Sequence, residues 1–515
     1  MKKKYKFSNI KKYIFKFILY FVGIFFVLLP LWLYKKFGFL YLDQFLFNLK
    51  LIIFGHLGGD VNLVKSAIRW LIVIPIIFSF LLIFINIITS FFIKNREKSI
   101  DHIIKMLRII KKNYYNLKLN FFFKIFDKVL NKFLFIIFIS ISAIFFLMYT
   151  DFFKSNNNYS KHNFLDENYI FPDVKIKSEK KNLVVLYVES LENTFSNKER
   201  FGENLLEKIW TIDKTQSIEY FYQIPGSGFT LSSLIASQCG IPLLNLGKTM
   251  SDPLKIIGIN KYLPNLKCLT DILHDHNYEN IFISSDHLEN SLTNNYLITH
   301  NFSRLLGIEE LKNMGYQTSK NAWHNKNNWY GGIHDNILLH AAIDELKKLK
   351  KNKKNNFFMT IMTLDTHAPV GYPNKNCLKK ILNKADLFNY EISDSVKCTV
   401  NYINNFINEF NKLNLKNTRL IIVGDHLFMG DLKVKNRYIY NKFFFEKNLK
   451  IRRNSMNFYD LYPTFLEAMD FKINNEYGKV GLGYSIFSRN KNYQKIDFKM
   501  KGNSKLYDQF WGIDG

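Results

Sequence analysis

The sequence predicts N-terminal transmembrane helices followed by an α/β domain with a central sheet sandwiched by helices. Three observations predict it. Apolar residues crowd the first third of the 515-residue chain. Further on, short β-branched or aromatic runs alternate with segments of helical period. Acidic, hydroxyl and imidazole side chains recur just after those runs, where ligands sit on layered α/β sheets. The expected division is a membrane anchor over 1–150, a linker over 151–180 and a catalytic domain over 181–515.

The anchor comes first. Phe17 to Tyr34, Trp70 to Ile93 and Phe133 to Tyr149 are apolar enough to cross a bilayer, which takes roughly 20 residues. Pro30 and Pro75 are tolerable inside such helices when neighbouring groups satisfy the freed carbonyls. The first span reads as an uncleaved anchor, because its apolar run is long and no small-residue cleavage pattern follows. Lys2, Lys3, Lys4, Lys6, Lys11 and Lys12 precede it. The loop from Lys94 to Lys132 carries Arg96, Lys98, Lys105, Arg108, Lys111 and Lys112. Basic loops stay cytoplasmic, so three crossings place everything after Tyr149 outside. Phe37 to Leu57 is apolar but broken by Asp43, Gln44, Asn48 and Lys50, so it lies in the interface or re-enters. Ile100, Ile103, Ile104, Leu107 and Ile110 form a stripe with two readings: contact with an anionic leaflet, or packing on the spans.

The formal net charge of +28 points to an anionic partner such as phospholipid headgroups, or to an Asn/Lys/Ile-rich bias in composition. No zinc knuckle or aromatic-basic RNA signature is present, and nucleic acid is not an expected partner. Asp151 to Lys180 is polar, with an asparagine run at Asn156 to Asn158, and reads as a linker. Beyond it, Leu183 to Val188, Ile218 to Ile224, Asn280 to Ser284, Phe357 to Met362 and Leu420 to Val423 read as buried strands. Leu231 to Cys239, Asn336 to Leu349 and Val400 to Leu413 read as helices between them.

Candidate site residues follow the strands. Glu189 comes after the first, Thr230 shortly after the second, His367 after the Phe357 strand, and Asp425 with His426 after the last. Two carboxylates, a hydroxyl and an imidazole form a ligand set for a divalent ion. A threonine hydroxyl stays protonated at neutral pH unless a cation lowers its pKa, which makes it a nucleophile. Thr230 also precedes a helical segment, whose free N–H groups favour a phosphate oxygen. The competing reading is that it only caps that helix. Asp286-His287, also after a strand, is a rival metal pair.

At these residues the chain resembles the membrane-bound phosphoglycerol transferases of the alkaline-phosphatase/sulfatase superfamily, most closely those that decorate periplasmic glucans; lipoteichoic acid synthases are more distant. The resemblance covers roughly Leu183 to Ser488 and the layout of the anchor. It is carried by Val184 to Leu191 (VVLYVESL), by Pro225 to Thr230 (PGSGFT) running on into Ala236 to Pro242 (ASQCGIP), by Thr363 to Pro369 (TLDTHAP), by Gly424 to Leu427 (GDHL) and by Arg453 to Met456 (RNSM). The block at Ala236 to Pro242 is the most specific.

The resemblance implies a sulfatase-like fold in which Glu189, Thr230, Asp425 and His426 hold one divalent metal ion, with manganese, magnesium and zinc all open. It makes Thr230 the nucleophile that becomes covalently loaded and puts His367 at the substrate phosphate. Trp329 and Asp335, in the stretch from Trp329 to Asp335 (WYGGIHD), resemble a family segment that lines the site. The implied reaction moves phosphoglycerol from phosphatidylglycerol to a periplasmic glucan or other envelope glycan through a phosphothreonine-type intermediate, releasing diacylglycerol. The implied location is the bacterial inner membrane, with the catalytic domain in the periplasm. All four cysteines, Cys239, Cys268, Cys377 and Cys398, fall after the anchor and allow three connectivities. The resemblance pairs Cys239 with Cys268 and Cys377 with Cys398, which needs an oxidising compartment.

The chain departs from its relatives in one place. Some carry an arginine near the headgroup where this chain reads Ser285-Asp286-His287-Leu288-Glu289, so the donor headgroup is open. The C/S-x-P-x-R setting of true sulfatases is missing around Thr230. The Ser-Gln-Cys-Gly-Ile-Pro run differs from the Pro-Cys-Met pattern of phosphoethanolamine transferases. Phosphoethanolamine transfer to lipid A or a glycan is the alternative activity, and a non-catalytic lipid- or glycan-binding envelope protein the alternative class.

Overall fold

A computed structural model describes residues 2–37, 66–85, 87, 88, 140 and 144, and 164–512 apart from 225, 244–260, 289–292, 318–331, 353–355, 369, 385–389, 431, 447, 448, 476 and 489–504. The chain divides into two compact units, Met1–Leu40 with Val61–Phe153, and Tyr41–Asp60 with Lys154–Gly515.

In the first unit, α1 (Lys2–Phe37) and α2 (Ser66–Ile85) each contain a stretch long and apolar enough to cross a membrane. They run antiparallel. The Phe17 and Phe80 rings lie 4.9 Å apart, and Trp32 Nε1 donates to Ser66 Oγ at 3.0 Å. Many of their large apolar side chains, such as Phe15, Phe80 and Phe84, are exposed. Pro75 cannot donate a backbone hydrogen bond, and the turn before it, Arg69–Val73, is widened into a π-helix. Ser79 Oγ donates to the Pro75 carbonyl at 2.6 Å. The expected third span and the Phe37 to Leu57 stretch lie outside the described residues.

The second unit is built on a six-stranded mixed sheet. Its strands are β2 (Asn182–Val188), β4 (Tyr278–Ser284), β5 (Arg304–Leu306), β6 (Asn356–Met362), β7 (Thr418–Gly424) and β8 (Asn441–Phe444), in the order β5-β4-β6-β2-β7-β8. All neighbours are parallel except β8, which runs antiparallel to β7. Strands covered on both faces read as continuous apolar runs, and β2 shows why. Leu183, Val185 and Tyr187 enter one core with α3 (Thr230–Cys239), α4 (Leu269–Asp275) and α7 (Leu461–Ala468). Val184, Leu186 and Val188 enter the other with α5 (Asp335–Asn352) and α6 (Ile392–Leu413). The α6 contribution recurs at Val396, Val400, Ile403, Phe406, Ile407 and Phe410, the stripe of a helix lying on a sheet.

The structure corrects three expectations. The run at Ile218 to Ile224 is not a strand of the central sheet. Only β3 (Tyr220–Tyr222) is extended, and it pairs with β9 (Ser455–Asn457) in a separate ribbon. Ile218, Phe221 and Ile224 are buried for packing, while Ile218 N is bonded to the Asn441 side chain. Part of the expected linker is folded, since β1 (Val174–Ile176) pairs antiparallel with β10 (Phe471–Ile473) and Leu165 and Tyr169 are buried. Finally, α6 starts eight residues before the expected Val400, because Asp394 Oδ2 accepts from Glu391 N at 3.0 Å and caps the earlier turn. The edge strands β5 and β8 were too short to read in the sequence.

Candidate active site

The carboxyl ends of β2 and β7 lie side by side, with Val188 opposite Gly424. The residues that follow, Glu189 and Asp425, are therefore brought together by strand register alone. Asp425 N donates to the Val188 carbonyl at 3.1 Å and holds the second strand end against the first. A Cβ on Gly424 would lie 1.9 Å from the Leu191 carbonyl oxygen, so only glycine fits there. Ser190 takes a left-handed backbone (φ 54°) that turns the chain sharply. Its N–H donates to Asp425 Oδ1 at 2.8 Å and its hydroxyl to Glu189 Oε1 at 2.6 Å.

Thr230 arrives from a third element. Gly226 takes φ 76°, and a Cβ there would lie 2.5 Å from the Pro242 side chain. This tight loop delivers Phe229 to the N-cap of α3 and Thr230 to its first turn. Ser232 closes the cap, its hydroxyl donating to the Phe229 carbonyl while receiving the Phe229 N–H. Thr230 is thus not the cap. Its Oγ1 donates to Asp425 Oδ2 at 3.1 Å instead, and the residue is half-buried.

His426 completes the cluster, its Nε2 lying 3.4 Å from both Glu189 Oε1 and Asp425 Oδ2. Ligand atoms of Glu189, Asp425 and His426 all fall within 4.8 Å of one another, and all three residues are buried. Burial and the neighbouring Glu189 charge push the Asp425 carboxyl up to about 7. Burial pulls the His426 proton affinity down, but the charges of Asp425 and Glu189 outweigh it and raise it. The His426 Nδ1–H is directed to the Leu427 carbonyl at 2.9 Å, which turns the Nε2 lone pair toward two carboxylates. Two buried carboxyl groups and an imidazole nitrogen thus face one point. The donor set fits a divalent cation, and three oxygens with one nitrogen suit manganese, magnesium or zinc.

His367 sits on the loop after β6, half-buried, with its Nδ1–H directed to the Ala368 carbonyl at 2.8 Å. The same loop reaches the cluster through Thr366, whose hydroxyl donates to the Glu189 carbonyl. Trp329 lies outside the described residues. Asp335 departs from the expectation that it lines the site. Its side chain is fully buried and spent within the chain, accepting from Leu364 N at 2.8 Å, Asp365 N at 3.2 Å and Thr399 Oγ1 at 2.9 Å. The rival pair is used locally, with Ser284 Oγ accepting from Asp286 N and Asp286 Oδ1 from His287 N. A second acidic-histidine group, Cys268, Asp271 and His300, is structural. Cys268 is in a disulfide, and the two His300 ring nitrogens are bonded to Asp271 Oδ2 and the Tyr262 carbonyl.

Sequence reasoning missed the groups that hold the cluster in place. Gln223 Oε1 accepts from Leu427 N at 2.7 Å. Glu192, fully buried, accepts from Phe428 N at 3.0 Å and from Arg437 Nε at 2.8 Å. These are polar loop residues with no periodicity to mark them. Disulfides join Cys239 to Cys268 and Cys377 to Cys398, linking the end of α3 to the start of α4 and bracing α6.

The sulfatase family profile matches residues 181–471, which take in the whole cluster. The chain belongs to the sulfatase family. Among curated proteins, this sulfatase-family chain is 30% identical over 300 residues to phosphoglycerol transferase I of Escherichia fergusonii, covering 56% of this chain and 37% of that protein. The phosphoglycerol transferase I of Shigella flexneri is 29% identical over 299 residues, with the same coverage. The match thus spans little over a third of the length of these relatives. Among solved structures, the lipoteichoic acid synthase LtaP from Listeria monocytogenes aligns with a TM-score of 0.48 at 14% identity, over 62% of this chain and 79% of that one. The integral membrane lipooligosaccharide phosphoethanolamine transferase EptA from Neisseria meningitidis aligns with a TM-score of 0.41 at 15% identity, over 87% and 84%.

Proposed function

We propose that this protein is a membrane-anchored, metal-dependent phosphotransferase that moves phosphoglycerol from phosphatidylglycerol to an envelope glycan by way of Thr230. The observation that carries the reading is the Thr230 hydroxyl, 3.1 Å from Asp425 Oδ2 on the rim of the Glu189–Asp425–His426 cluster and at the first turn of α3. A divalent ion held by Glu189, Thr230, Asp425 and His426 would lower the hydroxyl pKa and neutralise phosphate charge.

The residues of the chain do the rest. Asp425 orients the hydroxyl, and the free N–H groups at the start of α3 receive a phosphate oxygen. Thr230 Oγ1 releases its proton to water and bonds to the donor phosphorus as the bond to the diacylglycerol oxygen breaks, and His367 supplies that leaving oxygen with a proton. An acceptor hydroxyl then displaces Thr230. The phosphoglycerol transferase I relatives support the choice of group, and a lipid donor accounts for the apolar N-terminal helices. The two disulfides agree with a catalytic domain on the oxidising side of the inner membrane.

The test is the full-length chain in lipid nanodiscs with headgroup-labelled phosphatidylglycerol and added manganese. Diacylglycerol is released, and mass spectrometry finds the label on the peptide containing Thr230. Thr230→Ala abolishes both; undiminished diacylglycerol release by that variant refutes the assignment. A second reading, phosphoethanolamine transfer, is favoured by the lack of an arginine in the stretch after β4. Supplying phosphatidylethanolamine in parallel decides it by which lipid is consumed.

A further inference from the structure

His334 occupies an unusual position for a histidine. It immediately precedes α5, and its carbonyl accepts from Ile337 N at 2.9 Å and Leu338 N at 3.1 Å. Short oxygen-bearing side chains are favoured at such a position, and the helix dipole disfavours a cationic ring there. The imidazole turns away from the helix. Its Nδ1–H donates to Asp365 Oδ1 at 2.9 Å, and Asp365 is fully buried.

Asp365 cannot swing, because its Oδ2 accepts from Asp335 N at 3.1 Å and its own N–H is bonded to Asp335 Oδ1. Asp335 is pinned in turn by Leu364 and Thr399. The ring is therefore locked with its proton on Nδ1 and its lone pair on Nε2. No described residue bonds to Nε2, and the side chain is 6% exposed. Burial lowers the proton affinity of the ring, but the Asp365 and Asp335 charges outweigh burial and raise it. A buried carboxylate that orients an imidazole and leaves the opposite nitrogen open is the arrangement of a general base.

Its place in the fold is also telling. Ile333 N donates to the Ser285 carbonyl at 2.9 Å, so the segment is fixed to the carboxyl end of β4. Asp365 lies on the loop after β6. The next residue, Thr366, is bonded to the carbonyl of Glu189, and the one after is His367. The dyad thus belongs to the same sheet edge as the acidic cluster, reached from β4 and β6.

We propose that His334 is the general base of the second half-reaction, taking the proton of the acceptor sugar hydroxyl, with Asp365 its positioning residue. The inference rests on the reading of Thr230 given above. The acceptor proton passes to His334 Nε2 as the acceptor oxygen bonds to the phosphorus carried by Thr230. The bond from phosphorus to Thr230 Oγ1 breaks, its electron pair stays on Oγ1, and that oxygen regains a proton from water. His334 then returns its proton to solvent.

The two half-reactions separate the claims. Full-length protein in nanodiscs is loaded with labelled phosphatidylglycerol, and the Thr230 adduct is followed before and after adding a short β-glucan oligosaccharide. His334→Ala should form the adduct at a rate near wild type and lose label to the oligosaccharide roughly 10²- to 10³-fold more slowly. Added imidazole should restore part of that transfer in His334→Ala and none in Thr230→Ala. His334→Gln keeps a donor toward Asp365 but cannot accept a proton, so it should be as slow as His334→Ala, with an unchanged melting temperature. It carries the test if the alanine variant fails to accumulate. Transfer by His334→Gln at the wild-type rate would overturn the base role and leave the Thr230 reading intact. No adduct in wild-type protein would sink the Thr230 reading and this one with it.

Discussion

Asp335 offers a stringent test of how the loop behind the site is held. Its carboxylate is fully buried and accepts two backbone N–H groups, from Leu364 and Asp365, and one hydroxyl, from Thr399. Asp335→Ala strands both N–H groups, and each buried orphan costs roughly 1–3 kcal/mol. With the small cavity added, the expected loss is roughly 3–5 kcal/mol. Asp335→Asn should behave differently. One amide oxygen can accept both N–H groups while the amide nitrogen donates to Thr399 Oγ1, so every partner is kept and a buried charge disappears. Burial, and then the Asp365 charge, raise the Asp335 carboxyl well above its ordinary range. Because the folded-state pKa is the higher one, the stabilisation it confers is complete below the ordinary carboxylate range. It is lost as pH rises through the raised value. Relative to wild type, Asp335→Asn should therefore gain stability between pH 5 and 8, an interval chosen for assay. Urea midpoints for wild type, Asp335→Asn and Asp335→Ala across that range measure this. Equal damage from Asn and Ala, or a wild-type-to-Asn difference that stays flat with pH, would refute the reasoning.

Three further outcomes follow from the geometry around the cluster. Gly424→Ala places a Cβ 1.9 Å from the Leu191 carbonyl, so the β2 and β7 ends must separate. Manganese affinity, measured by calorimetry, should fall at least tenfold, with about 2–4 kcal/mol lost in stability. Arg437→Met leaves Glu192 charged and buried without its partner, which should cost roughly 3–5 kcal/mol in denaturant unfolding; adding Glu192→Gln should recover much of it. Peptide mapping without reduction should recover Cys239 linked to Cys268 and Cys377 to Cys398. Replacing the first pair with serines should cost roughly 2–4 kcal/mol, as expected for a closed loop of 29 residues.

The sequence by itself determined the order and kind of the main elements. A parallel strand buried on both faces must be apolar along its whole length, so β2, β4, β6 and β7 announce themselves, as do the two stretches long and apolar enough to cross a membrane. It also marked Glu189, His367, Asp425 and His426, because residues just past parallel strands face the ligand side of the sheet, and Thr230, because it stands at the start of a helical segment. Strand order and register were decided only in three dimensions, since parallel partners such as β2 and β7 are more than two hundred residues apart. The tight Gly226 loop and Ser232 assign the cap of α3 to Phe229, and the long-range pairing sets Glu189 beside Asp425, the acceptor of the Thr230 hydroxyl. It also buries Asp335 beneath the site and gives His334 its carboxylate. A polar loop residue acquires a role from what lies across from it, and no local pattern encodes that partner.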